Sequence, residues 1–182
     1  MNELEGSEIM SSTTMDGAVS DEQIERWLAA ARKTIATVRH CWVATRAEDG
    51  GANARAVRIN PGAPGSDEWT RRFVCRRGSR KVAEIRRDPR VTLAYQEDRE
   101  NAYVALGGIA SLIEDRAEMR SLWPAGSGGS FSDDFIDANM IVARIEVDRI
   151  ELHVRGITRE PYGHGRTLIE RGTGGGWRYV PY

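Results

Sequence analysis

Two cysteines and a formal net charge of -1 already exclude several kinds of protein for this 182-residue chain. Cys41 and Cys75 form no Cys-x-x-Cys pair and join no Cys/His cluster, so neither a disulfide framework nor a structural zinc site is supported. With 26 Lys and Arg against 27 Asp and Glu, neither sign of charge dominates, and general binding to nucleic acid or a membrane surface has no electrostatic basis. No apolar run approaches the roughly 20 residues of a spanning helix. The acidic, polar start MNELEGSEIMSSTTMDG is unlike a signal peptide, and a cytoplasmic protein is expected. What is present is 40% hydrophobic and 29% charged residues, the mix of one compact domain with a real core.

Residues 1–19 lack apolar periodicity and are expected to form a flexible tail, leaving residues 20–182 as a single domain. Ser20 with Gln23 reads as a capping box, and Ile24, Trp27, Leu28, Ala31, Ile35 and Val38 then recur at helical spacing, predicting a helix over 21–38 with His40 near its end. CWVATR, the turn EDGG and ANARAVRIN read as a hairpin, and WTRRFVC as a third strand. Ser79 caps a short helix RKVAEIRR, stopped at Asp88-Pro89. RVTLAYQ and AYVALGGIASLIE are two more strands, with a bulge or bend at Gly107-Gly108. A helix over 115–123 and a Gly/Ser-rich loop PAGSGGSFSDD follow, then MIVARIEV and RIELHV as a last long hairpin. GTGGG lacks the strand-to-helix setting of a dinucleotide fold and reads as a tight turn before Trp177. Trp27 and Trp42 read as core. Many antiparallel strands with two or three helices predict a mainly β protein, a small closed or half-closed barrel with peripheral helices.

Two basic clusters carry chemistry. On the second hairpin strand, Arg55 and Val57 share one face while Ala56 and Arg58 share the other. At Ser79-Arg80-Lys81 a hydroxyl, free backbone N–H groups and two cations meet at a helix start, which suits a phosphate dianion. The same residues also describe an ordinary solvated helix start, and residues alone leave both readings open. Cys75 reads as a small buried hydrophobe.

The ordered segments RAVRIN, FVCRRGSRK, DPRVTL and YVALGGIA, closed by IELH and RTLIERGTGGGW, resemble the FMN-binding split-barrel superfamily of pyridoxamine 5'-phosphate oxidase, including its bacterial general stress protein branch. The resemblance spans about Trp42 to Tyr182 and implies a six-stranded antiparallel split barrel. It implies that Arg55, Arg80 and Lys81 hold the FMN phosphate beside Ser79, and that the backbone around Ala56, Val57, Arg58, Val74 and Cys75 lines the flavin ring. Tyr103, Arg166 and His153 stand at further cofactor-side positions, and DRAEMRSLWP is similar to the stress-protein branch, with Trp123 near the cofactor. A homodimer with flavin at its interface is implied, with FAD tolerated. His153 either touches flavin or faces solvent. Asn60, Ser121 and Ala125 depart from the oxidase's substrate-phosphate contacts although His164 matches, so turnover of pyridoxamine phosphate is not expected. The resemblance therefore implies a flavin-dependent oxidoreductase of unassigned substrate. A non-catalytic flavin-binding stress protein, or the same fold holding deazaflavin or haem, stands as the alternative.

Overall fold

Ser20 starts the first element by accepting the Gln23 N–H at 3.2 Å, and helix α1 runs Asp21–Thr37. In the computed structural model, which describes residues 19–61, 66–122, 132–158 and 166–181, α1 lays Ile24, Trp27, Leu28 and Ala31 against the sheet. Val19, assigned from sequence to the tail, instead packs on the core cluster that includes Ile24, the place of a hydrophobic staple. The remainder of the expected tail, residues 1–18, lies outside the described residues. The helix ends where Val38 turns extended, so His40 does not close it but opens the first strand.

Nine antiparallel strands follow among the described residues: β1 His40–Arg46, β2 Ala52–Arg58, β3 Asn60–Pro61, β4 Arg71–Arg76, β5 Arg90–Glu97, β6 Ala102–Ile113, β7 Met140–Val154, β8 Thr167–Arg171 and β9 Trp177–Tyr179. Helices α2 Arg80–Arg87, α3 Arg116–Leu122 and α4 Asp133–Asn139 complete the chain. The sheet order is β2-β1-β5-β6-β7-β4-β3, with β8 added beside β7 and β9 beside β8. β2 and β3 stand at opposite ends of that order, yet only Ile59 separates them in the chain. One bent strand therefore gives its first part to β1 and its last two residues to β4, which closes the sheet into a barrel split between β2 and β4. Side chains alternate across the wall, and Val43, Phe73, Leu93, Leu106, Ile145, Ile150 and Leu152 fill the interior. Each such side chain contributes roughly 1.5–3 kcal/mol by leaving water.

Several expectations are corrected by tertiary pairing. The barrel wall consists of the six strands longest in sequence, β1, β2, β4, β5, β6 and β7; the count rises from six to nine because β3 pairs β4, β8 pairs β7, and the turn at 172–176 folds β9 back onto β8. In that turn Gly175 has φ +82° and the Gly172 N–H donates to the Gly176 carbonyl at 2.7 Å. MIVARIEV and RIELHV are not a hairpin but one 15-residue strand, β7. Its partner β6 pairs Gly107 with Arg149 and Gly108 with Val147, so Asp148 is the extra residue of a bulge rather than a turn. The approach there is close: a Cβ on Gly108 would overlap the Glu146 carbonyl oxygen and come within 2.9 Å of Ile145 Cγ2. The end of the expected Gly/Ser-rich loop is helical, since the Ser132 hydroxyl caps α4 by accepting the Phe135 N–H at 3.2 Å. Trp27 is core as read, but Trp42 is not: it is 57% exposed on the outer face of β1.

Candidate functional site

Glu84 organises the first cluster. It lies on α2 beside Val82 and Ile85, faces the sheet and is only 3% exposed. Its Oε2 accepts the Thr45 hydroxyl at 2.5 Å and Arg55 Nη2 at 2.7 Å; its Oε1 accepts Asn53 Nδ2 at 2.6 Å and lies 3.4 Å from Arg80 Nε. Arg55 Nη1 donates in turn to Thr45 Oγ1 at 2.5 Å and to the Asn53 carbonyl at 3.1 Å. Burial pushes the Glu84 carboxyl up, but the hydrogen bonds from Thr45, Arg55 and Asn53, with the Arg55 charge, outweigh it and hold the group below its ordinary value. The buried carboxylate thus binds β1, β2 and the start of α2 into one corner and brings Arg55 and Arg80 together.

At the tip of this corner Ser79 precedes α2 in an extended conformation, and its side chain makes no capping bond. Its Oγ is buried and has no hydrogen-bond partner among the described residues. The N–H groups of Arg80 and Lys81 have no acceptor among the described residues, because the ladder begins with Val82 and Ala83 donating to the Ser79 carbonyl. The Lys81 side chain makes no ion pair among the described residues, and the Arg80 side chain is 71% exposed. The corner thus combines an unsatisfied hydroxyl and open N–H groups with Arg55 and Arg80 beside the Glu84 carboxylate and Lys81 in the same first turn of α2, three cations against one carboxylate. Such a corner attracts a doubly charged anion.

The other sequence-selected residues occupy different ground. Ala56 and Arg58 are exposed on the outer face of β2, while Val57 packs partly on the core. Val74 is half-buried on the outer side of β4; Cys75 points inward, 3% exposed, with Sγ 3.8 Å from the Ile141 carbonyl, so it offers backbone rather than thiol to anything outside. Burial pushes both the Cys41 and Cys75 thiols up to about 11. Tyr103, facing outward from β6, stacks on His153 at 5.9 Å and 23°. His153 is 4% exposed, beside Thr158 Oγ1 at 3.2 Å, so it does not face solvent. Arg166 pairs with Glu151 at 3.4 Å. Trp123 and His164 lie outside the described residues.

The outer face of the sheet carries a ladder of paired small residues, Ala56, Ala94 and Ala105, with Trp42 standing among them. Two clefts open there, one of about 590 Å³ over Thr92, Ala105 and Gly107, the other of about 440 Å³ between Trp42 and Tyr103. Sequence reasoning missed Thr45, Asn53 and Glu84. The available signals were a Glu four residues after Arg80 on the apolar face of α2 and an Asn two residues before Arg55 on its strand face.

Architecture and corner together define a small antiparallel split barrel with a helix beginning at the end of a barrel strand. The chain belongs to the family described as pyridoxamine 5'-phosphate oxidase like, whose model matches residues 27–153. Among solved structures it is similar to a Clostridium acetobutylicum protein related to general stress protein 26 of B. subtilis, with TM-score 0.64 and 16% identity over 80% of this chain and 95% of that one. It is similar also to a pyridoxamine 5'-phosphate oxidase-related, FMN-binding protein of Nostoc punctiforme, with TM-score 0.57 and 14% identity over 92% and 100% of the two chains. PhzG of Burkholderia lata, solved with tetrahydrophenazine-1-carboxylic acid, gives TM-score 0.59 and 18% identity over 92% and 94%. At these identities the likenesses establish the fold. No curated protein matches the sequence.

Proposed function

We propose that this protein is an FMN-binding oxidoreductase that works as a homodimer, with each flavin held between two copies. The observation that carries the reading is the buried Ser79 Oγ, without a partner among the described residues, set beside the open N–H groups of Arg80 and Lys81. An unpaired buried hydroxyl costs free energy unless a ligand satisfies it. An FMN phosphate fits the corner in charge and in donors, held by Arg55, Ser79, Arg80 and Lys81. When bound, FMN supplies two-electron redox chemistry. The chain's own part is to bind the phosphate, orient the ring along the backbone of Ala56–Arg58 and Val74–Cys75, and exclude water. FAD is tolerated too, since the corner is open: a Cβ on Gly78 would meet nothing within 4 Å.

The placement of the flavin-side residues supports a second copy. Arg55 turns toward Glu84 on the inner side of β2, whereas Tyr103 faces outward from β6. β2 and β6 are three strands apart in the sheet, roughly 14 Å at the usual strand spacing. This separation and the opposite facing of the two groups favour a site completed by a second copy, in which a partner packed on the outer face supplies its Tyr103 and Arg166 to the neighbour's ring. The alanine ladder around exposed Trp42 is the apolar surface for that contact.

The absorbance spectrum of the purified protein tests the cofactor, with flavin bands expected. Bleaching of those bands by NADH or NADPH, or by a coupled substrate, separates an enzyme from a passive binder. Sedimentation of flavin-loaded protein over a dilution series tests the assembly, and a monomer that retains stoichiometric flavin would refute the shared site.

A further inference from the structure

Arg55 has five N–H donors, and the structure engages three of them. Nη1 donates to Thr45 Oγ1 and to the Asn53 carbonyl, and one Nη2 hydrogen goes to Glu84 Oε2. Thr45 and Glu84 thus occupy the Nη1–Nη2 end of the guanidinium. The Nε–H and the remaining Nη2–H, which lie side by side on the other edge, have no partner among the described residues. That edge is a fork with the spacing of two phosphate oxygens.

We propose that Glu84 is a positioning residue for phosphate recognition: by gripping one end of Arg55 together with Thr45, it presents the free edge of the guanidinium to the ligand's phosphate. The proposal rests on the FMN reading above. A carboxylate beside an anion site would by charge alone repel the ligand, so its presence 2.7 Å from the recognising arginine calls for a geometric role. The surroundings support one. Glu84 is buried, and three donors from two strands hold both of its oxygens, so the carboxylate cannot rotate and the arginine it grips has one orientation. On an exposed strand a free arginine samples many rotamers, and fixing it before the ligand arrives removes that ordering cost from binding.

Charge and geometry predict opposite signs for Glu84→Gln. Loss of a repelling charge tightens FMN; loss of a clamp loosens it. FMN and riboflavin, which lacks the phosphate, are titrated against the full-length protein and against Glu84→Gln by flavin fluorescence, with circular dichroism to monitor folding. The expected result is FMN affinity lower by about tenfold or more with riboflavin affinity within about twofold, as for the loss of one well-oriented charged hydrogen bond. In an Arg55→Lys background, which keeps the charge and lacks the fork, Glu84→Gln should no longer change the FMN-to-riboflavin ratio. Thr45→Val, which removes the second grip and leaves the carboxylate paired, should lower the ratio by about threefold, and carries the test if Glu84→Gln does not fold. FMN affinity that rises, or a ratio that stays constant in both variants, overturns the assignment of Glu84 while leaving FMN binding intact. A wild-type protein that prefers FMN no more than riboflavin overturns the phosphate reading and this proposal with it.

Discussion

Replacing Arg80 and Lys81 together by alanine is the sharpest perturbation of the proposed phosphate corner. Hydrogen bonds to charged groups contribute about 1.5–3 kcal/mol where they are shielded from water. Arg80 is 71% exposed, so solvent screening lowers its share. With about 1–1.5 kcal/mol for each residue, the pair accounts for about 2–3 kcal/mol, or roughly 30- to 150-fold in FMN dissociation constant. The Arg55 fork, the Ser79 hydroxyl and the backbone N–H groups persist in the variant, so binding weakens rather than disappears, and flavin is lost on dilution during gel filtration. Folding should be little changed. Arg80 gives up only a 3.4 Å contact with Glu84, and cations in the first turn of a helix are mildly unfavourable for it, so stability should move by no more than about 0.5 kcal/mol. Fluorescence titration of FMN and riboflavin at two salt concentrations, beside thermal melts, measures both effects. FMN affinity should fall and lose part of its salt dependence, while riboflavin affinity holds. A double variant that retains stoichiometric FMN at unchanged affinity would refute the placement of the phosphate.

Gly108→Ala forces a Cβ onto the Glu146 carbonyl across the bulge and should destabilise the fold by about 2–4 kcal/mol, read as a lowered urea midpoint; a midpoint within error of wild type would contradict the bulge geometry. Trp42→Glu places charge on the exposed alanine ladder proposed as the contact between copies, and under that proposal sedimentation should show a weaker dimer without loss of monomer secondary structure. The Glu84 carboxyl is held below its ordinary value of 4.5, so its contribution to stability is full above that pH and is lost as pH falls through the lower folded value. The acid limb of a melting-temperature profile should therefore be shallower in Glu84→Gln, and identical limbs would count against the network. Burial pushes the Cys41 and Cys75 thiols up to about 11, so neither should react with a thiol reagent at pH 8 until denaturant is added.

Local signals in the chain determined most of the elements. Ser20 with Gln23 marks the start of α1, Ser79 and Asp88-Pro89 bound α2, alternating burial is written in RVTLAYQ, and Gly107-Gly108 announces a bulge, because caps, periodicity and close approach depend on residues within a few positions of one another. The order of the basic segments was legible for the same reason, and it led to the family. What tertiary structure alone decided depends on partners far apart in the chain. Asp148 reads locally as a turn and becomes a bulge only because β6 runs the whole length of β7. Trp42 reads as core and stands exposed because pairing with β2 and β5 turns its face of β1 outward. Glu84 is one charge among several in RKVAEIRR, yet α2 docks so that it meets Thr45 and Asn53, residues 39 and 31 positions away. A charge enters the interior only where its hydrogen bonds are complete, and that completion is a property of packed elements rather than of any segment taken alone.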